Sequence, residues 1–353
     1  MAENLRTLEY RIPESFHGHT VEAFLRSEGY SKSVLYHLRN TEGLIRNGHR
    51  SGLKEPLATG DTLICRILET EDSPNVIETE IPLSIVYEDE DILVIDKPAG
   101  LPIHPSMGHY EYTLGNALCW YTHHMLGYDH YVNRIVNRLD KNTSGLLVAA
   151  KNMLSAARLG DMIRAHEIQR EYLAIASGDL RNLFVPSSEG ASGLYTSTSS
   201  DPAYARAHLQ NLDGSLPSLL TQVPAVRDAA NPVLGLHFTV NAPIGRAADS
   251  VVERCIDYEK GDYAVTHGML LSYNAEKDLS FLRLKLETGR THQIRVHLLS
   301  IGHPLPGDFL YHADERFISR QPLHSWRLRF RHPISGRPLE FTAPLPDDMQ
   351  RLL

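Results

Sequence analysis

The chain has 353 residues, 42% hydrophobic and 22% charged, with a net charge of −8. That length points to about two domains, and the apolar content excludes a wholly disordered chain. The negative charge argues against a protein whose whole surface grips nucleic acid, and no apolar run approaches the ~20 residues of a bilayer-spanning helix. Three scattered cysteines (Cys65, Cys119, Cys255) offer neither a disulfide framework nor metal-ligand spacing. Met1-Ala-Glu-Asn-Leu-Arg lacks the basic-then-apolar order of a secretory signal, so a reducing, cytoplasmic setting is expected.

Residues 1–80 read as a small separate domain. Val21-Glu-Ala-Phe-Leu-Arg has helical spacing, and a second helix is expected after Ser31, an N-cap, with Val34, Leu35 and Leu38 on one face. Leu44-Ile45-Arg46 runs into an Asn47-Gly48 turn, and Gly60-Asp61 opens a strand to Ile67. The acidic stretch from Glu69 to Pro82 reads as a linker.

Residues 81–353 form the larger body. Ile92 to Asp96 is a short apolar strand closed by Lys97-Pro98-Ala99-Gly100. Arg134 to Leu139 and Gly145 to Ala150 are two more strands separated by a polar turn. Leu154 to Ala165 is helical, and Tyr172–Gly178, Leu234–Val240 and Phe281–Leu286 are strand-like. Thr291 to Ser300 places Ile294, His297, Leu298 and Ile301 near one face of a helix. Many short strands with few helices imply an α+β fold with a mostly antiparallel mixed sheet and flanking helices. Residues 183–232 contain five Pro, three Gly and eleven Ser or Thr, which marks a partly disordered surface insertion.

Two stretches carry chemistry. Asp140 sits at a turn between strands, a rigid place for a nucleophile or base, with Arg138 and Lys141 beside it as positive charge that favours a carboxylate. Asp and Asn are also ordinary turn formers, so position alone does not make Asp140 catalytic. Thr288-Gly289-Arg290-Thr291-His292-Gln293-Ile294-Arg295-Val296-His297 concentrates donors that suit a carboxylate or a phosphate. His292 and His297, five apart, do not share a helical face, so no metal site is read there. Phe281 to Leu339 holds ten Lys or Arg against four acids, a positive segment in an otherwise acidic chain.

Together these stretches resemble the RluA-type pseudouridine synthases, which isomerise uridines in ribosomal and transfer RNA. The resemblance runs from about Ile85 to Leu353, interrupted by the insertion. Tyr87 to Ser106 resembles the family's opening strand and Lys-Pro-Xaa-Gly turn. Arg138-Leu139-Asp140 with Thr143-Ser144-Gly145 resembles its catalytic motif, and Arg170-Glu171-Tyr172-Leu173-Ala174 its tyrosine motif. Thr288 to His297, then Ile301-Gly302-His303-Pro304 and Gly307-Asp308, resembles its arginine motif. Leu323-His324-Ser325 and His332-Pro333 agree as well.

The resemblance implies that Asp140 is the catalytic aspartate, that Tyr172 stacks on the target base, and that Arg290 pairs with Asp140. Arg138 would fill the space the uracil vacates and contact phosphate; Arg295, in the same motif as Arg290 and the other arginine near enough to pair with Asp140, is assigned to substrate binding. It implies an RNA partner (ribosomal or transfer RNA), no cofactor and no metal, no membrane, and a monomer. A catalytically silent RNA-binding or ribosome-assembly factor on the same scaffold is the alternative; the joint presence of Asp140, Tyr172 and Arg290 favours the enzyme. A glycoside or nucleoside hydrolase would need a second carboxylate across the scissile bond, and none is evident. The sequence departs from the family at Asn137, where His is usual, and at Arg170, where Lys is more common. The N-terminal segment resembles, more weakly, the small RNA-binding domain of a ribosomal small-subunit protein. With nine basic against thirteen acidic residues over 1–85, it lacks the charge of a phosphate grip.

Overall fold

The computed structural model describes residues 2–106, 108, 110–184, 195–199, 236–248 and 250–353. The N-terminal unit comprises β1 (Leu5–Arg11), α1 (Val21–Ser27), α2 (Lys32–Asn40), β2 (Leu44–Arg46), β3 (His49–Arg50) and β4 (Thr62–Leu68). Its four strands form an antiparallel sheet in the order β1-β4-β2-β3. The Ser31 hydroxyl accepts the Val34 N–H and caps α2, as its sequence position requires. Asn47 and Gly48 both take positive φ (49° and 82°), the geometry that folds β2 back onto β3. Val21, Phe24, Leu25, Val34, Leu35 and Leu38 bury their side chains with Leu63, Cys65 and Ile67 of β4, and Leu154 of the body joins that core. Residues 69–84 have no regular secondary structure, but their acids are anchored to the body. The buried Glu69 carboxylate accepts from Arg134 at 2.7 Å and from the Met153 N–H at 2.8 Å.

The body contains β5 (Ile85–Glu88), β6 (Ile92–Lys97), α3 (Leu114–His124), β7 (Arg134–Ile135), β8 (Ser144–Ala150), α4 (Met153–Arg164), β9 (Gln169–Ser177) and β10 (Tyr195–Ser199). These are followed by β11 (Leu236–Asn241), β12 (Ile244–Arg246), β13 (Arg254–Ile256), β14 (Val265–Asn274), β15 (Leu279–Leu286), α5 (Gln293–Ser300), β16 (Leu323–Arg331), β17 (Pro338–Thr342) and α6 (Asp347–Gln350). An eleven-stranded sheet runs β10-β11-β14-β15-β9-β16-β8-β6-β5, with β17 on β16 and β7 on β8. Every pairing in it is antiparallel except β8 with β16, so the α+β class and the mostly antiparallel mixed sheet are as expected. No helix among the described residues is long and apolar enough to cross a membrane.

The central strands are buried on both faces, which is why they read as continuous apolar runs. Along β8, Leu147 and Ala149 face a core shared with α3 and α5, while Leu146 and Val148 face a second core with Leu159 of α4. Along β9, Tyr172, Ala174 and Ala176 belong to the first core, and Leu173 and Ile175 pack with Phe281 and Trp326 on the far side. Thus Tyr172 lies on the same sheet face as α5.

Several elements differ from expectation. The strand read over Arg134–Leu139 ends at Ile135, because the Asn137 side chain, rather than its backbone, takes the Val148 N–H at 2.8 Å. That frees the chain to loop out before β8. Strands β1, β14, β16 and β17, helix α3 and the β12–β13 hairpin were not predicted. Of the insertion read at 183–232, all but Leu183, Phe184 and β10 lies outside the described residues.

The parallel joint between β8 and β16 is short, pairing His324 with Ser144 and Ser325 with Gly145. Gly145 has φ +106°, and a Cβ there would lie 2.3 Å from the Ser325 carbonyl oxygen. Only glycine fits both the backbone and the space. Gly145→Ala is expected to lower stability by at least about 2 kcal/mol in urea denaturation, from backbone strain and overpacking together.

Candidate active site

Asp140 lies in the loop between β7 and β8, one turn before the parallel joint. Its carbonyl accepts the Thr143 N–H at 3.1 Å, closing the turn. From beneath, Lys97 at the end of β6 is fully buried and donates from Nζ to the carbonyls of Pro98 (2.8 Å), Leu101 (3.0 Å) and Lys141 (3.0 Å). The Gly100 N–H also reaches the Lys141 carbonyl, at 2.9 Å. The Lys-Pro-Ala-Gly turn thus grips the turn that carries Asp140. Burial pushes the Lys97 pKa down to about 7, against the opposing pull of Asp140. The three carbonyls match the three N–H bonds of an ammonium, the form this nest fits.

Arg295, in the first turn of α5, donates from Nη1 to Asp140 Oδ2 at 2.9 Å. Its other edge makes a two-point contact with Asp308: Nε to Oδ2 and Nη2 to Oδ1, both at 2.7 Å. The side chains of Arg295 and Asp308 are 2% and 1% exposed, whereas that of Asp140 is 27% exposed. One guanidinium therefore bridges a buried carboxylate and one open to the cleft. Burial opposes the charge on Arg295, but Asp308 and Asp140 outweigh it and its pKa is raised.

Helix α5 is set by a buried polar network. Gln293 Oε1 accepts from the Thr288 hydroxyl (2.8 Å) and the Arg290 N–H (3.0 Å), and its Nε2 donates to the Val265 carbonyl (2.9 Å) and Thr266 Oγ1 (3.0 Å). His297 Nε2 lies 2.9 Å from the Ala242 carbonyl, so it carries the proton, and Nδ1 at 2.8 Å receives the Thr266 hydroxyl. Both His297 nitrogens are thereby committed within the protein. His292, in the left-handed region at φ 58°, precedes α5 and bonds through Nδ1 with the Tyr311 hydroxyl at 2.8 Å. Its Nε2 is 4.0 Å from Asp140 Oδ1, and burial lowers its pKa.

The cleft has about 440 Å³ of empty space and is lined by Arg138, Asp140, Arg170, Tyr172, Arg290 and Arg295, among others. All five residues singled out from the sequence therefore meet around one cavity. Tyr172 is 4% exposed; burial raises its pKa, with Arg170 acting the other way. Arg138 is exposed at the mouth. The expected pairing of Arg290 with Asp140 is corrected: Arg290 lies before α5 and donates instead to the Tyr263 carbonyl at 3.0 Å. Arg295, expected to meet substrate, is spent on the two carboxylates. Lys97 and Asp308 were not singled out individually, although the Lys-Pro-Xaa-Gly and Gly-Asp segments contained them, and His292 was weighed only as a metal ligand.

A family model described as "RNA pseudouridylate synthase" matches residues 91–300. The chain belongs to this family. Synthases of this family are RNA-modifying isomerases, and the chain is 32% identical over 95% of its length, and 98% of the relative's, to the "Uncharacterized RNA pseudouridine synthase YjbO" of Bacillus subtilis. It is 35% identical to "Ribosomal large subunit pseudouridine synthase D" of Zymomonas mobilis, over 77% of this chain and 72% of the relative. The protein of the same name from Escherichia coli O157:H7 is 33% identical, over 92% and 86%. Among solved structures, "Human RNA Pseudouridylate Synthase Domain Containing 1" aligns at TM-score 0.49 and 24% identity, over 74% of this chain and 83% of its own.

Arg295→Met leaves the Asp308 carboxylate buried and unpaired and is expected to cost about 3–5 kcal/mol of stability. Adding Asp308→Leu should recover most of that loss without restoring activity, read by denaturation and turnover on the same samples. Burial holds His297 and His324 down at about 4. Both are neutral when folded, whereas the unfolded chain takes up these protons from ~pH 6.5. Their contribution is complete above that pH and is lost as pH falls to about 4, a few kcal/mol in all. His297→Gln should remove its share of the slope of unfolding free energy across this window.

Proposed function

We propose that this synthase acts on uridine in large-subunit ribosomal RNA, with Asp140 as the group that opens the glycosidic bond. The observation that carries the assignment is the Asp140–Arg295 contact at 2.9 Å, in a cleft that also holds the Tyr172 ring. The names of the Zymomonas and Escherichia relatives support the choice of RNA.

The target base must first leave its stack, at a cost of a few kcal/mol. Arg138, exposed at the mouth, fills the vacated space and meets phosphate in this reading. Tyr172 presents a flat ring on which the extruded uracil stacks. The bond from N1 of uracil to C1′ of the ribose then breaks, the base turns, and C5 bonds to C1′. The C5 proton is lost and N1 regains one, so atoms balance without oxidation or reduction. Asp140 acts either as the nucleophile at C1′ or as the base that starts glycal formation, and the same position serves both routes. As a neutral phenol, Tyr172 assists removal of the C5 proton, which leaves to solvent while N1 takes one up from it.

Arg295 orients the attacking carboxylate. It remains fixed because Asp308 holds the opposite edge of its guanidinium, which leaves Nη1 aimed at the cleft. This is preorganisation: the dipoles need not move when charge shifts during reaction.

Asp140→Asn keeps the size and most hydrogen bonds of the side chain but removes its charge. Pseudouridine formation should fall at least about a thousandfold, while RNA affinity stays within a few-fold. Full activity of this variant would overturn the assignment. Mapping pseudouridines in RNA from cells with and without the chain should show the missing sites in large-subunit ribosomal RNA; their loss from transfer RNA instead would overturn the choice of substrate.

A further inference from the structure

A second cavity, with about 1090 Å³ of empty space, adjoins the catalytic cleft. Arg170, Leu286 and Arg290 line both, so these side chains form the wall between them. Ile163 and Ile168 give the second cavity apolar surface, and Gln169 and Glu287 give it polar edges. Tyr263 also lines it, with 58% of its surface exposed. That is a large aromatic side chain left in solvent beside a reaction site, and the mechanism above does not use it.

The wall carries unspent positive charge. Arg170 has no ion-pair partner among the described residues. The carboxylate paired with Arg290 is Asp262, 3.8 Å away, and both side chains are substantially exposed, so the pair is weak. Arg290 is fixed instead by its bond to the Tyr263 carbonyl, which ties the guanidinium to the aromatic residue next to it. A guanidinium fork matches a phosphate, and an exposed ring flanked by aliphatic side chains matches the flat face of a nucleobase.

In RNA, neighbouring nucleotides are joined by one phosphodiester. A strand running from the cleft to the second cavity would have to carry that phosphodiester past the dividing wall of Arg170, Leu286 and Arg290. We propose that the second cavity takes the nucleotide next to the target uridine, with its base against Tyr263 and its phosphate on Arg170 and Arg290. This rests on the cleft being the uridine site, and it gives Arg290 a role in substrate positioning.

The test uses the full chain and synthetic stem-loop RNAs from large-subunit ribosomal RNA that contain a uridine the chain modifies. In matched RNAs, the nucleotide on the 5′ or the 3′ side of that uridine is replaced by an abasic riboside, which keeps the phosphodiester and removes only the base. For one of the two sides, wild-type kcat/KM should fall about tenfold, within the range for loss of one stacked base. Tyr263→Ala should lose about tenfold on the intact RNA and lose nothing further on that abasic RNA. Tyr263→Phe, which keeps the ring, should restore the sensitivity to base removal. Losses that multiply to about a hundredfold, or indifference of the wild type to both abasic RNAs, would overturn the second site while leaving the catalytic reading intact. Failure of the wild-type chain to form pseudouridine in any large-subunit RNA would remove both.

Discussion

The site depends on one guanidinium shared between two carboxylates. Arg295 is almost wholly buried, and a lone buried cation would be costly. Asp308 neutralises it and fixes its plane; Asp140, partly open to the cleft, takes one N–H of Nη1. The division is unequal in a useful way. The buried carboxylate takes two bonds from Arg295, and the open one takes a single bond through Oδ2, which leaves its Oδ1 outside the contact. The surrounding architecture converges on this pair. The Lys97 nest fixes the Asp140 turn, and the Gln293–Thr266–His297 network fixes α5.

Much of this was legible in the chain. The Ser31 cap, the Asn47-Gly48 turn, the apolar cores of β8 and β9, and the helix ending at Ser300 follow from local chemistry that packing reinforces. The choice between Arg290 and Arg295 was not legible. Both stand in one polar run, and what separates them is where α5 begins: His292 turns left-handed just before Gln293, so Arg295 points inward from the helix while Arg290 stays on the preceding loop. Strands β14 and β16 were hidden because their polar residues find partners only in the folded sheet, as His267 does with Glu287 and Arg327 with Glu340.

The acidic character of the first 85 residues also has a structural explanation. Several of its acids face the body rather than solvent. Glu69 holds Arg134 and the start of α4, Glu78 reaches His123 and His124, and Asp72 reaches His130 and the Tyr131 N–H. In the other direction, Arg6 grips Asp91. Counting charge along the chain missed this, because part of the surplus is used within the molecule.

The parallel joint has a consequence for how the enzyme comes into being. Ser144, four residues beyond Asp140, is held by His324, 180 positions later in the chain. The Asp140 loop and its closing strand therefore meet only across a long stretch of polypeptide, the kind of contact that forms late. A nascent chain emerging from the ribosome can pair the strands of its N-terminal unit early, yet the Asp140 loop is not fixed until β16 has been synthesised and has slotted in beside β8.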